Sequence, residues 1–389
     1  MPPETNREPT VPADEDAPSG RPTVPDPGDV SCRMEGALGR ITLSRPAALN
    51  ALSDAMRGEI AAALRAWQKD AMVYAVVIDA VGETDGEAFC AGGDLREMAR
   101  AAAGGDAMAG IREEYRLNWQ IDCYTKPIVS LVNGLVVGSG VGLTLYGTHR
   151  VAGEKYAFAM PETAVGFFPD VGVTACLADI PRAEAVGIAA GGIRLARGEA
   201  QRLGFVTHCI AADAFEEIRD RLRDAWPVDD VLDTRAVEVA SERRPETWRE
   251  LNAALSSGTP EVVIANLTAA VAGEHRSDPA KALAAELLSR LTAASPTSLA
   301  IALRQVGPNA PPTLEAALRQ DYTLAARMLR YPDFNEGVRA LLIDKDKQPE
   351  WTPRTPVELD ADEVAALFEA SDDAILDLAS RPRPIAALT

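Results

Sequence analysis

Apolar and polar positions along the chain follow two periods, and the changes between them mark out the elements. Leu38-Gly-Arg-Ile-Thr-Leu43 alternates as a strand does, and Arg45-Pro46 ends it. Ser53 stands as an N-cap before Met56, Ile60, Leu64 and Trp67, which recur at helical spacing. Tyr74-Ala-Val-Val-Ile-Asp79 is apolar and β-branched and reads as a buried strand. Strand, helix and strand in that order form a βαβ unit and imply a parallel pair.

Downstream, Leu95 to Met98 reads as a short helix and residues 101–106 as a flexible loop. A second helix covers residues 111–119, with Ile111, Tyr115 and Trp119 facing the core and Glu113 and Glu114 on a solvated face. The apolar run Ile128 to Val132 is a buried strand that ends at Asn133-Gly134. Another apolar run leads into Gly138-Ser139-Gly140 and a helical patch, Val141 to Tyr146. A glycine-lined helix start presents backbone N–H groups with no side chain in the way and can hold negative charge. His149 to Ala152 resumes a strand. The loop from Phe158 to Gly172 then sets Glu162 and Asp170 among Phe158, Met160, Val165, Phe167 and Phe168. Carboxyl groups in such company either cap backbone N–H groups or acquire a raised pKa suited to acid/base chemistry near neutral pH. From about residue 181 the pattern is helical to the end, broken at Gly191-Gly192, Pro227, Pro260, Pro296, Gly307-Pro308 and Pro311-Pro312.

Charge and composition narrow the functions. A net charge of −19 on 389 residues argues against nucleic acid or an anionic membrane as a partner. An anionic ligand would need a local basic patch or backbone donors. Residues 1–30, rich in Pro, Asp and Glu, carry seven acids and two arginines and read as a disordered tail. No apolar run approaches the roughly 20 residues that cross a bilayer, and no signal or presequence pattern opens the chain, so a cytoplasmic location is expected. Five cysteines without a CxxC pair and three histidines without ligand spacing suggest neither a disulfide framework nor a metal site. Cys90 is expected to be a small buried residue rather than a nucleophile.

A second glycine-rich junction, Ala88-Phe-Cys-Ala-Gly-Gly-Asp94, follows the strand at residues 74–79. Two such strand ends could aim two N–H donors at one oxygen, the geometry of an oxyanion hole. Ala-Phe-Cys-Ala-Gly-Gly-Asp and Gly-Ser-Gly-Val-Gly-Leu resemble the paired oxyanion-hole motifs of the enoyl-CoA hydratase/isomerase (crotonase) superfamily. The resemblance covers residues 34 to 353. It implies an α/β fold with a crotonase-like (ββα)n spiral core over residues 31–225 and a helical C-terminal region over 226–389. It further implies a homo-oligomer, trimer-based or smaller, and no cofactor beyond the coenzyme A of an acyl-CoA substrate.

Within the superfamily, hydratases carry a glutamate where this chain has Gly142, besides one matched by Glu162. Several segments are instead similar to the 3-hydroxyisobutyryl-CoA hydrolase branch: Arg112-Glu-Glu-Tyr115, Phe158-Ala-Met-Pro-Glu-Thr163, Phe168-Pro-Asp-Val-Gly172, Ser295-Pro-Thr-Ser-Leu299, Asp333-Phe-Asn-Glu-Gly-Val-Arg339 and Ile343 to Trp351. The resemblance implies hydrolysis of a short-chain 3-hydroxyacyl-CoA, with Glu162 and Asp170 as acid/base carboxylates. Ala91 and Ser139 would supply the two N–H donors, Ser139 standing where the family has a glycine. Glu114, Gly92, Gly93, Asp94, Gly138, Gly140 and Arg45 would line the acyl and coenzyme A sites. The alternatives are an enoyl-CoA hydratase or isomerase and a catalytically silent acyl-CoA-binding protein.

Overall fold

The computed structural model describes residues 28–82, 88–104, 107–256, 258–273, 275–370 and 374–381. The tail expected over residues 1–30 therefore lies, up to residue 27, outside the described residues, and Val30 already opens the first strand.

Among the described residues, ten strands form two sheets. The larger has the order β1 (Val30–Glu35), β2 (Leu38–Leu43), β3 (Ala75–Ala80), β5 (Ile128–Val132), β7 (His149–Ala152), β10 (His208–Cys209). Only β1 and β2 in it are antiparallel. The smaller sheet runs β4 (Ala88–Cys90), β6 (Leu135–Val137), β8 (Ala157–Ala159), β9 (Leu195–Ala196), parallel except for its last pair. The strands β3, β5 and β7 of the first sheet thus hand over to β4, β6 and β8 of the second, so this part of the chain climbs as a spiral.

The central strands are apolar throughout because both faces are covered. Val76, Ile78, Ile128 and Val132 point into the main core. Val77, Val129 and Leu131 alternate with them and meet Ile218 and Leu222 of the helix Phe215–Arg223 on the other side. Helix α1 (Asp54–Lys69) starts where Ser53 accepts the Met56 N–H, as its position before the apolar stripe predicts. Helix α2 spans Leu95–Gly104, so the loop expected from residue 101 is helical through 104. Three successive alanines, the best helix formers, carry it on. Helix α3 is Ala107–Asp122, and helix α4, Ser139–Thr144, follows β6 directly.

The C-terminal region is not helical to its end. After the helix Ala361–Ala366, residues 374–378 are extended with Ala374, Leu376 and Leu378 buried alternately. This segment straps across α3, whose Arg116 and Trp119 donate to the carbonyls of Asp377 and Ala379. Among the described residues, no helix is long and apolar enough to cross a membrane.

Candidate active site

A cavity of about 80 Å³ lies where β4 and β6 end, lined among others by Gly93, Ser139, Glu114, Glu162, Asp170 and Phe167. A larger cavity, about 570 Å³, opens among the C-terminal helices but holds no buried carboxylate, so size does not mark the site here.

Which N–H groups face the small cavity follows from one bridge. Leu52 pairs with Gly93 in parallel fashion: its N–H donates to the Gly92 carbonyl at 2.9 Å and its carbonyl accepts from Asp94 at 3.0 Å. Alternation along an extended backbone then turns the N–H of Gly93 away from Leu52. The N–H of Ala91 donates to the Leu49 carbonyl at 2.9 Å, so it is not free for a ligand. The donor expected at Ala91 is therefore available at Gly93 instead. On the other side, Gly138 (φ +49°) turns the chain into α4. Its carbonyl accepts from Val141 and Gly142, and the N–H of Ser139, in the first turn, has no place in the helical ladder. The Ser139 hydroxyl lies 2.9 Å from where a Cβ on Gly93 would stand, and both residues line the cavity.

The carboxyl groups close the cavity. Glu162 opens the 3₁₀ turn Glu162–Val165; its Oε1 lies 3.2 Å from a Cβ built on Gly138, and its Oε2 is buried with no hydrogen-bond partner. Burial first, and then Asp170, push its pKa well above the ordinary range. Asp170 accepts from the Tyr115 hydroxyl at 2.9 Å. Its pKa is raised by burial and by Glu114, against the pull of the Tyr115 bond. Glu114, expected on a solvated face, is 3 % exposed and joins them. Residues 111, 114, 115 and 118 all fall on the buried side of α3, which is wider than the i, i+4 row of Ile111, Tyr115 and Trp119.

Arg57 is a site residue that the sequence reading missed. It is buried, donates to the Leu52 carbonyl at 3.2 Å, lies 3.5 Å from Glu114 and pairs with Asp54. Burial opposes its charge, but Glu114 and Asp54 outweigh burial and its pKa rises. The available signal was its register: 57, 60, 61 and 64 form one apolar row, and a charge there requires a buried partner.

Other expected contacts resolve differently. Arg45 pairs with Asp94 at 2.9 Å and with Asp29 at 3.5 Å, so both proposed ligand contacts satisfy each other at the rim. Gly140 is a packing position, since a Cβ there would meet Cys90 at 2.7 Å. Gly92 lines the cavity with φ +102°. Burial pushes the Cys90 thiol up to about 12, which leaves no thiolate to act near neutral pH. His149 and His208 turn to Asp229 and Asp233, 2.9 and 3.0 Å away, and neither joins Ser139 in a triad.

The sequence model of the enoyl-CoA hydratase/isomerase family matches residues 38–368. The chain belongs to this family. The 3-hydroxyisobutyryl-CoA hydrolase, mitochondrial, of Xenopus tropicalis is 37 % identical over 368 residues, covering 92 % of each chain. The human protein of that name is 34 % identical and covers 88 % of this chain and 89 % of its own. Among solved structures, an enoyl-CoA hydratase from Rhodobacter sphaeroides superposes with a TM-score of 0.79 at 37 % identity, covering 90 % of this chain and all of the other. A carnitinyl-CoA dehydratase from Mycobacterium thermoresistibile gives 0.80 at 33 % identity over 89 % of this chain and 98 % of its own. The crotonase-like fold is thus the observed one, with its parallel strands and C-terminal helices.

For this family member the buried carboxyl groups carry a stability cost with a definite sign. The unfolded chain ionises Glu162 near pH 4.3, roughly the reference value for glutamate, whereas the folded pocket resists ionisation. Folding therefore takes up a proton between the two pKa values, and stability falls as pH rises through that window. Glu162→Gln is expected to melt above wild type at pH 8, with the difference closing near pH 4, in calorimetry across that range.

Proposed function

We propose that the protein hydrolyses a short-chain 3-hydroxyacyl-CoA thioester of the 3-hydroxyisobutyryl-CoA kind to the free acid and coenzyme A. The observation that carries this reading over hydration is the packing at Gly142. A Cβ there would lie 2.5 Å from Oδ1 of the buried Asn118, with its other amide atoms at 2.9 Å, so the Asn118 amide occupies the space into which the second glutamate of a hydratase would have to project. The relatives named as hydrolases support it at 33–37 % identity; the solved hydratase and dehydratase share the scaffold. A silent binder has no use for three carboxyl groups buried around a cavity this small.

The same proposal gives the steps. The thioester carbonyl oxygen sits between the N–H groups of Gly93 and Ser139, which hold the charge of the tetrahedral intermediate; such a donor is worth about 3 kcal/mol of the barrier. Glu162 delivers the attack, either through a water it deprotonates or by its own Oε2 to give a mixed anhydride. Heavy oxygen from labelled water entering Glu162 in a single turnover marks the anhydride. The thiolate of coenzyme A leaves and takes a proton. Asp170, held by Tyr115, faces the substrate hydroxyl with Glu114, and Arg57 balances the charge of Glu114 from behind. No cofactor enters, coenzyme A being part of the substrate. A trimer-based or smaller oligomer belongs to the same proposal.

Thiol release from 3-hydroxyisobutyryl-CoA, read beside enoyl absorbance with the matching unsaturated thioester, tests the reading. Free coenzyme A without loss of enoyl absorbance is the expected result. Loss of enoyl absorbance without thiol would establish a hydratase, and neither signal a binder. The cytoplasm, the location expected from the sequence, stays part of this proposal. The names of the relatives place those proteins in mitochondria, and fractionation against organelle markers decides.

A further inference from the structure

Asp170 stands on a backbone that would not hold its shape alone. Val171 has φ +53° and Gly172 φ +79°, two successive left-handed residues, the first of them β-branched. For a β-branched residue this is a strained conformation that persists only where surrounding contacts enforce it. Three groups from outside the loop, two of them fully buried, supply those contacts. The Tyr146 hydroxyl donates to the Val171 carbonyl at 2.6 Å. Gln305, in the helix Pro296–Gln305, donates through Nε2 to the Pro169 carbonyl at 3.0 Å. Asp321, in the helix Leu314–Met328, accepts the Gly172 N–H at 2.8 Å, and Gln305 donates to its other oxygen at 3.1 Å. Gln305 and Asp321 are 1 % and 0 % exposed, and neither lines the cavity.

We propose that Asp321 and Gln305 are positioning residues for the reaction, gripping the backbone on both sides of Asp170 from the C-terminal helices. The inference rests on the role given to Asp170 above. It also accounts for a carboxyl group buried among other acids. Asp321 faces Asp170, Tyr115 and Tyr146, with Asp122 and Cys176 beyond Tyr146, and burial and Asp170 both raise its pKa. Asp170 in turn faces Glu114 and Tyr115 of α3, Arg57 of α1 and Glu162. A carboxyl group in that company brings electrostatic repulsion, and what it gives in return is two aimed hydrogen bonds.

Hydrolysis of 3-hydroxyisobutyryl-CoA by Asp321→Ala, Gln305→Ala and Asp321→Asn, each assayed well below its own melting temperature, tests the proposal. The two alanine variants are expected to lose at least about tenfold in kcat with KM within about twofold, as displacement of a catalytic group does. Asp321→Asn keeps an acceptor for the Gly172 N–H but not for Gln305 Nε2, and is expected to restore part of kcat relative to Asp321→Ala. The second readout is the carbon-13 resonance of the Asp170 carboxyl group, assigned by its loss in Asp170→Asn. In Gln305→Ala, which removes no charge, it should titrate at lower pH than in wild type as water reaches the loosened loop. Should Asp321→Ala fail to fold, Gln305→Ala carries both readouts. Unchanged kcat and unchanged Asp170 titration in the folded alanine variants would reduce the pair to a stability role and overturn the proposal. If the wild type releases no coenzyme A while the Asp170 titration still responds, the assigned reaction fails and the brace stands.

Discussion

Glu162→Gln is expected to slow coenzyme A release by about 10²- to 10⁴-fold, the range that a general acid or base supplies. Acyl-CoA binding should change little. The amide matches the carboxyl group in shape, and the donors of Gly93 and Ser139 do not depend on it. The pH profile makes the assignment specific. Wild-type kcat should rise with pH through the raised pKa of Glu162, because the attacking form is the anion and burial delays its appearance. Its limb therefore lies on the alkaline side of ordinary carboxylate titration, and in the glutamine variant the residual rate should lose that limb. A variant that retains both rate and limb would move the attack to another group, with Asp170 next in reach. The same substitution is expected to raise stability at pH 8, so activity and stability should part in opposite directions at one residue. This is the signature of a group kept for chemistry rather than for folding.

The parts of the site that the sequence displays are those written in local pattern. The apolar runs of β3 and β5 are visible because parallel strands are covered on both faces, and the glycine-rich junctions at residues 91–94 and 138–140 follow from the strand ends. The second sheet has strands of two or three residues, too short for any period to show. The choice between Ala91 and Gly93 depends on the register of a single bridge to Leu52, some 40 residues earlier, and a shift of one residue exchanges the N–H that faces the cavity. Arg45 and Asp94 are expected at the site from the family resemblance alone; their pairing with each other, 49 residues apart, is a tertiary fact that no local pattern displays. Glu114 and Arg57 share a different cause. Each is a charge on the buried row of a helix, made tolerable by the other, and neither signal is interpretable until α1 and α3 are known to touch. Asp321 and Gln305 lie about 150 and 135 residues from the loop they hold.

Gly166→Ala is expected to damage both the fold and the rate, because it forces the C-terminal region off the turn that carries Glu162. Gly166 caps that turn at φ +72°, where a Cβ would meet the Asp333 carbonyl oxygen at 2.1 Å and its carbon at 2.4 Å. Gly337 presses the same contact from the other side, where a Cβ would lie 2.2 Å from the Val165 carbonyl oxygen. Both neighbours are backbone, so no side-chain rotation relieves the clash. Asp333 is itself fixed by the Ser295 hydroxyl at 2.6 Å and the Thr352 N–H at 2.7 Å, and the Ser295 N–H donates to the Thr163 carbonyl at 3.1 Å. This explains why segments so far along the chain as Ser295–Leu299 and Asp333–Arg339 accompany the catalytic loop: they are its outer wall. Left-handed strain of about 1–2 kcal/mol adds to overpacking of about 1–3 kcal/mol. A fall in melting temperature of about 2–6 °C should follow in a chain of this size. Displacement of Glu162 should lower kcat by about 10–100-fold, since an error near 1 Å suffices for that. Gly204→Ala is the control, with φ +81° and nothing within 4 Å of its Cβ, so it shares the strain without the clash. It should lose stability modestly and keep full kcat, and an equal loss of kcat in both variants would sever the link between the helical wall and the reaction.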